Sequence, residues 1–438
     1  MLDEAWAALG GDPELAARVA VTGSCALRSP LPVGDLAVAT VAAQRLAAEE
    51  ARAAATGAPV AAVALDAAHV GLAFRSERHV RLDGRPAGAG FHPSSRFAAC
   101  RDGWVRLHAN YPHHRVAAEG VLGTDVAAGA RSWAAAELEE AVVAAGGVAA
   151  AVRTPAQWRA TPQGAALTAQ PLVALRRVGD APPRPARLAG LRVLDLTRVI
   201  AGPVATRTLA SYGADVLRVD CPRLPEDPAA LLDTGPGKRS TLLDLAVAGE
   251  RAEFDRLAGA ADVVVLGYRP GALAALGVDA ASLTGAHPGL VVLELSAWGA
   301  AGPWALRRGF DSVVQAACGI ASVCAAEDGT PGALPAQALD HGTGHLLAAA
   351  ALRAVTERSR HGGGWTGALS LARTASWLLE RPRAETDPEP DPGPDPGPYL
   401  ADLGSPWGTV TLVRPPGSPL WRRGPVRAGS DAPGWLPR

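Results

Sequence analysis

Three features of this 438-residue chain predict an α/β protein, with a Rossmann-like parallel sheet carrying helices on both faces and a second, smaller α/β domain. The first is the stretch Leu191 to Asp220, LRVLDLTRVIAGPVATRTLASYGADVLRVD, which reads as strand, glycine-proline turn, helix and strand. The second is the Pro/Arg-rich run DAPPRPAR, Asp180 to Arg187, through which neither helix nor strand can continue. The third is a gapless self-match at a constant offset of 305 residues.

Taken in order, Val193, Leu194 and Leu196 make a short buried strand, Gly202-Pro203 opens a helix, Tyr212-Gly213 stops it, and Val216, Leu217 and Val219 form the next strand. No GxGxxG follows the first strand, so the unit lacks a pyrophosphate cradle and NAD is not expected. The self-match aligns Gly34-Asp35, an alanine-rich helix to Arg52, Gly57 and the segment from Val60 with Leu339-Asp340, a helix to Glu357, Gly362 and the segment from Trp365. The proline breaks divide the chain into residues 1–180, 188–383, an acidic Pro-rich linker at 384–398, and a tail at 399–438 whose Trp407, Trp421 and Trp435 are expected to dock back.

Composition narrows the partners. A formal net charge of -1 and the lack of a basic run exclude nucleic acid and a membrane surface as expected partners. Of 42 basic residues only Lys238 is a lysine. Five scattered cysteines without CxxC spacing point to a reducing cytosol and no metal site. The start MLDEAW has no apolar leader and no apolar run reaches about 18 residues, so a cytoplasmic location is expected.

Six segments, in order, carry a family resemblance: LDLTRVIAGP from Leu194, GADVLRVD from Gly213, GKRSTLLDL from Gly237, ADVVVLGYRPGAL from Ala261, LSAWGAAGP from Leu295 and AQALDHGTGHLLAA from Ala336. Over Leu191 to Leu379 the chain resembles the family III CoA-transferases, which include formyl-CoA and carnitine CoA-transferases and α-methylacyl-CoA racemases. Phe97 to His108 and Ala135 to Trp158 are similar to later parts of the same family, here placed first. The chain thus reads as a fused or rearranged member, an incomplete first copy followed by a Rossmann-bearing second. The resemblance implies the family III fold and a homodimer, although one fused chain could supply both parts.

Asp340 stands where a loop becomes a helix, so helix amides are expected to hold its carboxylate ionised, as an ordinary cap or as a nucleophile. The resemblance makes it the nucleophile, forming a mixed anhydride and then an aspartyl-CoA thioester. Gly342 and Gly344 are expected to admit the thioester and expose amides to its oxyanion. Arg223, Lys238, Arg239 and Arg269 lie beyond strand ends, where the resemblance places CoA contacts. Asp35, the counterpart of Asp340, lacks a preceding Rossmann unit and is expected to be a relic or a helix cap. His341 and His345 have metal-ligand spacing, but no Glu completes an HExxH set, so no metal is expected. Phe310 fills the place of the histidine that the family's racemases carry, and Ile200 that of a glutamine of the formyl-CoA enzymes. The expectation is CoA transfer from an acyl-CoA to a carboxylic acid, with CoA as substrate and no permanently bound cofactor. The alternatives are a racemase or isomerase using the same aspartate, and a silent CoA-binding protein.

Overall fold

The structure, a computed structural model, describes residues 1–88, 90–382 and 393–437. Helix α1, Val33–Thr56, is the long element of the N-terminal part. After it come β1 (Ala174–Val178), β2 (Arg192–Leu196), α2 (Ala201–Ser211), β3 (Asp215–Asp220), β4 (Arg239–Leu242), β5 (Val263–Leu266) and β6 (Val291–Ser296). They are followed by α3 (Asp311–Cys318), α4 (Ala338–His361), β7 (Gly364–Ser370) and α5 (Leu371–Leu379).

Seven strands form one sheet in the order β4-β3-β2-β5-β6-β7-β1, parallel throughout except for β7 with β1. The β2–α2–β3 unit occupies the place and order that the Leu191 to Asp220 pattern predicts. Both faces are covered, so the central strands are apolar on both sides. Val193, Val263 and Val265 turn toward α2 and α4, while Leu194, Val264 and Val292 turn toward Phe254 and Leu257 of the opposite helix layer. From β2 the chain runs outward to β3 and β4, then returns to β5 on the other side. That reversal opens a crevice at the carboxyl ends of β2 and β5, the place where open α/β sheets bind ligands.

The self-match is also a structural repeat. Helices α1 and α4 each have 24 residues and are displaced by 305 at both ends. Even their N-cap torsions agree: φ -76, ψ 65 at Pro32 and φ -75, ψ 62 at Gln337. The two helices pack against each other, and Leu36 of α1 abuts Gly342 of α4. Each leads to a strand and a short helix: Val63–Asp66 and Ala67–Ala73 after α1, β7 and α5 after α4. In front of α1 only one strand, Val19–Thr22, pairs with its sheet.

The sheet crosses the proline-rich boundary, because β1 lies before Asp180 and pairs with β7. A smaller α/β unit has an antiparallel sheet of Phe97–Ala99, Trp104–Leu107 and Ala149–Ala151, with its own core around Val105, Leu138 and Val142. Trp158 of this N-terminal half packs with Trp298 and Trp304, and Gln163 bonds the backbone at Trp298, Ala301 and Trp304, pinning the loop after β6. The tail hairpin, Leu400–Ser405 with Gly408–Val413, pairs with Arg81–Leu82. The Nε1 of Trp421 donates to the Arg207 carbonyl at 2.8 Å and that of Trp435 to the Leu257 carbonyl at 3.1 Å. Of the acidic Pro-rich segment at 384–398, residues 384–392 lie outside the described residues. Among the described residues no helix is long and apolar enough to cross a membrane.

Candidate active site

A cavity of about 190 Å³ lies at the switch-point crevice, walled by Arg198 and Val199 after β2, Gly267 and Arg269 after β5, Leu295 and Ser296 of β6, and Asp340 of α4. The N-terminal half closes it with Tyr111, His113 and His114. A second lobe of about 350 Å³, reaching Asp279 and Glu294, shares Tyr268, Arg269, Pro270, Leu295 and Ser296 with the first. The two lobes thus have a common wall of five residues.

Asp340 sits in the first turn of α4 and is 5% exposed. The expectation that helix amides would hold it ionised is corrected here. Those amides are taken by Asp311, whose Oδ2 accepts from Leu339 N at 2.9 Å and from Asp340 N at 3.0 Å, while Gln315 Nε2 donates to its other oxygen. Asp340 is left in an apolar site with two acids nearby. Burial first, then the charges of Asp311 and Glu77, raise its carboxyl well above the usual range. Burial also raises Asp311, to about 6, against the pull of its amide partners.

Gly342 and Gly344 are corrected as well. Both lie inside α4, where amides bond within the helix rather than toward a ligand. Their smallness serves helix packing: a Cβ on Gly342 would stand 3.2 Å from Leu36 Cδ2, and one on Gly344 would stand 2.5 Å from the Ala201 carbonyl oxygen of α2.

The four cations separate. Lys238 is 1% exposed, with Nζ 2.9 Å from Asp195 Oδ2 and 3.0 Å from the Pro203 carbonyl, so it is a core ion pair rather than a CoA contact. Arg239 is likewise buried, bonding Asp215 at 2.9 and 3.1 Å. Both sit in β4 or its lead-in at the covered edge of the sheet, and neither lines the cleft. Arg223 is exposed, pairs with Asp244 at 2.7 Å, and also lies off the cleft. Only Arg269 is brought to Asp340, at the wall shared by the two lobes. Arg308, which the sequence did not single out, joins it; burial and then the charge of Arg269 push its guanidinium down. Among the described residues neither guanidinium has a carboxylate within ion-pair distance, leaving positive charge for an anion to match.

Arg198 and Tyr111 are fixed differently. Buried Glu226 accepts from Tyr111 Oη at 2.7 Å and from Arg198 Nε at 3.3 Å, and also pairs with Arg218 at 3.5 Å. It further accepts from the amide of Val199, a β-branched residue at φ 70, a strained conformation located on the cavity wall. Phe310 stacks on His108 with ring centroids 3.7 Å apart. His341 and His345 pack beside Phe74 in the core, away from the cleft. Asp35 is exposed and does not cap α1, whose N-cap residue is Pro32. The Tyr111-Pro112-His113-His114 run carried a usable signal, since ring side chains are sparse in this alanine-rich chain; Glu77 and Glu226 carried none.

Residues 188–398 match the model of "CoA-transferase family III". A probable fatty acyl-CoA transferase of Mycobacterium tuberculosis, Rv3272, is 36% identical over 188 residues, covering 40% of this chain and 48% of its own. A succinate–glutarate CoA-transferase of Agrobacterium fabrum is 33% identical over 203 residues, covering 42% and 51%. The crystal structure of Rv3272 aligns with 44% of this chain and 55% of its own, at TM-score 0.42 and 34% identity. The chain thus spans about half the length of these curated relatives. The matched segment, whose likeness is to CoA-transferase family III, contains β2 to β7, α4 and Asp340.

Proposed function

We propose that the chain moves CoA from an acyl-CoA to a carboxylic acid through a covalent intermediate on Asp340. One observation carries this reading: a buried carboxyl with no hydrogen-bond partner among the described residues faces a cavity at the sheet's switch point. A carboxylate that its surroundings do not stabilise is a stronger nucleophile than a paired one, so Asp311 raises reactivity by taking the helix amides.

After Asp340 ionises, one oxygen attacks the thioester carbon, the C–S bond breaks, and CoA leaves as thiolate with a mixed anhydride on Asp340. The thiolate attacks the aspartyl carbonyl and expels the donor's acid as carboxylate, giving aspartyl-CoA. The acceptor carboxylate attacks that carbonyl and frees the thiolate, which then attacks the acceptor's acyl carbon, restoring Asp340 and releasing the new acyl-CoA. Val199, Ala201, Leu295 and Phe310 provide apolar wall for an acyl group, and Arg269 with Arg308 provide charge for CoA phosphates. Phe310 cannot carry a proton, which favours transfer over racemisation.

Intact mass measurement after incubation with acetyl-, succinyl- or octanoyl-CoA and hydroxylamine tests the reading. A hydroxamate on wild type but not on Asp340→Ala is expected; CoA binding without an adduct from any donor would overturn it.

A further inference from the structure

Of the two histidines on the cavity wall, His113 is exposed and His114 is buried, with both ring nitrogens unpartnered. His114 lies in the N-terminal half, on the helix Pro112–Leu122, yet is 4% exposed and faces the same cavity as Asp340. Neither Nδ1 nor Nε2 has a hydrogen-bond partner. A buried imidazole in this condition costs free energy that a ligand could recover, by giving it an acceptor. Its ring is held by neighbours rather than by hydrogen bonds: His113 at 4.1 Å, Tyr111 and Phe310 each at 5.7 Å between centroids. Tyr111 is in turn fixed by Glu226.

The transferase reading needs a donor for the oxyanion that forms when Asp340 attacks a thioester, and the glycine amides of α4 are closed inside the helix. We propose that His114 is that donor, its imidazole N–H bonding the thioester oxygen as it becomes an oxyanion. This rests on the transferase reading. Burial, followed by the charges of His113, Arg308 and Arg198, pushes the imidazole down to about 3, so at neutral pH it is neutral. Either tautomer then keeps one N–H and one bare nitrogen. A neutral imidazole polarises a carbonyl without surrendering its proton, which suits a donor and not a base. No proton changes hands: the N–H bond persists as the tetrahedral oxygen gains and loses its charge.

Stopped-flow release of CoA thiol from acetyl-, succinyl- and octanoyl-CoA in the presence of hydroxylamine, which consumes the anhydride before the thiolate can return to it, measures acylation, and calorimetry with CoA alone checks that each variant retains its cleft. His114→Phe keeps the ring and removes the donor; it should acylate about 10²–10³-fold more slowly with CoA affinity unchanged. His114→Gln restores a donor and should recover to within about tenfold of wild type. Wild-type rates in His114→Phe, or equal slowing in both variants with CoA still bound, would overturn the proposal. A second measurement needs no His114 variant to fold: the carbonyl stretch of [1-13C]acetyl-CoA bound to Asp340→Asn should fall below that of free acetyl-CoA. An unshifted band would overturn the proposal. Absence of acylation in wild type would instead sink the transferase reading, and the infrared band would still report whether a donor meets the bound thioester.

Discussion

Helices α1 and α4 have the same length, the same N-cap torsions and a constant displacement, yet of their two aspartates only that of α4 lines the switch-point cavity. Asp35 and Asp340 occupy the same position in the two helices, the first exposed and the second 5% exposed in a cavity. The difference is made by what stands in front. The α4 copy has β2 through β6 before it, and with them the switch-point crevice, the loop that ends in Asp311, and the cations Arg269 and Arg308. The α1 copy has one strand, Val19–Thr22. An aspartate at a helix start is therefore not by itself a candidate site; burial on a cavity wall and a neighbour that takes the helix amides set Asp340 apart. The incomplete copy still contributes, because its half holds Tyr111, His113 and His114 on the wall of the complete copy's cavity.

The largest effect should come from exchanging the two acids' fates. Asp340→Ala removes the proposed nucleophile and should lower kcat on the order of 10⁴–10⁶-fold. Asp35→Ala should leave it unchanged. Steady-state transfer from any thioester that labels the wild type measures both, and equal losses would mean that the two copies form a joint site.

Much of this contrast was legible in the sequence, and the illegible part has a common cause. The pattern from Leu191 to Asp220 resolves as strand, helix and strand because apolar periodicity and Gly-Pro punctuation are local signals. The repeat was legible because it is colinear. Lys238 and Arg239 were misread because their partners lie on other strands: Asp195 is the penultimate residue of β2 and Asp215 opens the adjacent β3, so a charge beyond a strand end looked solvent-facing. Asp311 was visible as part of Gly309-Phe310-Asp311, but its bonds to Leu339 and Asp340 amides depend on how α3 meets α4. His114 reaches the cavity only through the docking of two halves, which no local pattern encodes.

A smaller effect should appear in stability against pH. Asp311 titrates near 6 in the folded protein and near 3.8 when unfolded, so between those values the folded state holds a proton that the unfolded state has lost. Its contribution therefore falls as pH rises from about 4 through 6. Asp311→Asn can still accept the α4 amides and cannot ionise, so it should gain stability over wild type across that window, by about 1–3 kcal/mol at pH 7. The melting temperatures of both proteins from pH 4 to 7.5 decide this, with Asp35→Asn, at an exposed carboxylate, as the matched control. A gap that does not change with pH would mean that Asp311 is not titrating in this range.

The smallest effect separates the two glycines of α4 from their alanine counterparts in α1, Ala37 and Ala39. Replacing glycine by alanine inside a helix gains about 1 kcal/mol in propensity, and the sign of the net change depends on what the new methyl meets. At Gly344 it meets the Ala201 carbonyl at 2.5 Å, a backbone atom that moves only if α2 moves. Overpacking of this kind costs about 1–3 kcal/mol, so Gly344→Ala should be destabilising by up to about 2 kcal/mol net. At Gly342 the nearest atom is Leu36 Cδ2 at 3.2 Å, the tip of a leucine that can turn, so Gly342→Ala should fall within about 0.5 kcal/mol of wild type. Urea melts of both variants test the ordering. If Gly342→Ala were the more damaging, the α1–α4 contact rather than the α2–α4 contact would be the tight one. The incomplete copy would then hold α4 more firmly than does α2, which follows β2 in the complete copy's own sheet.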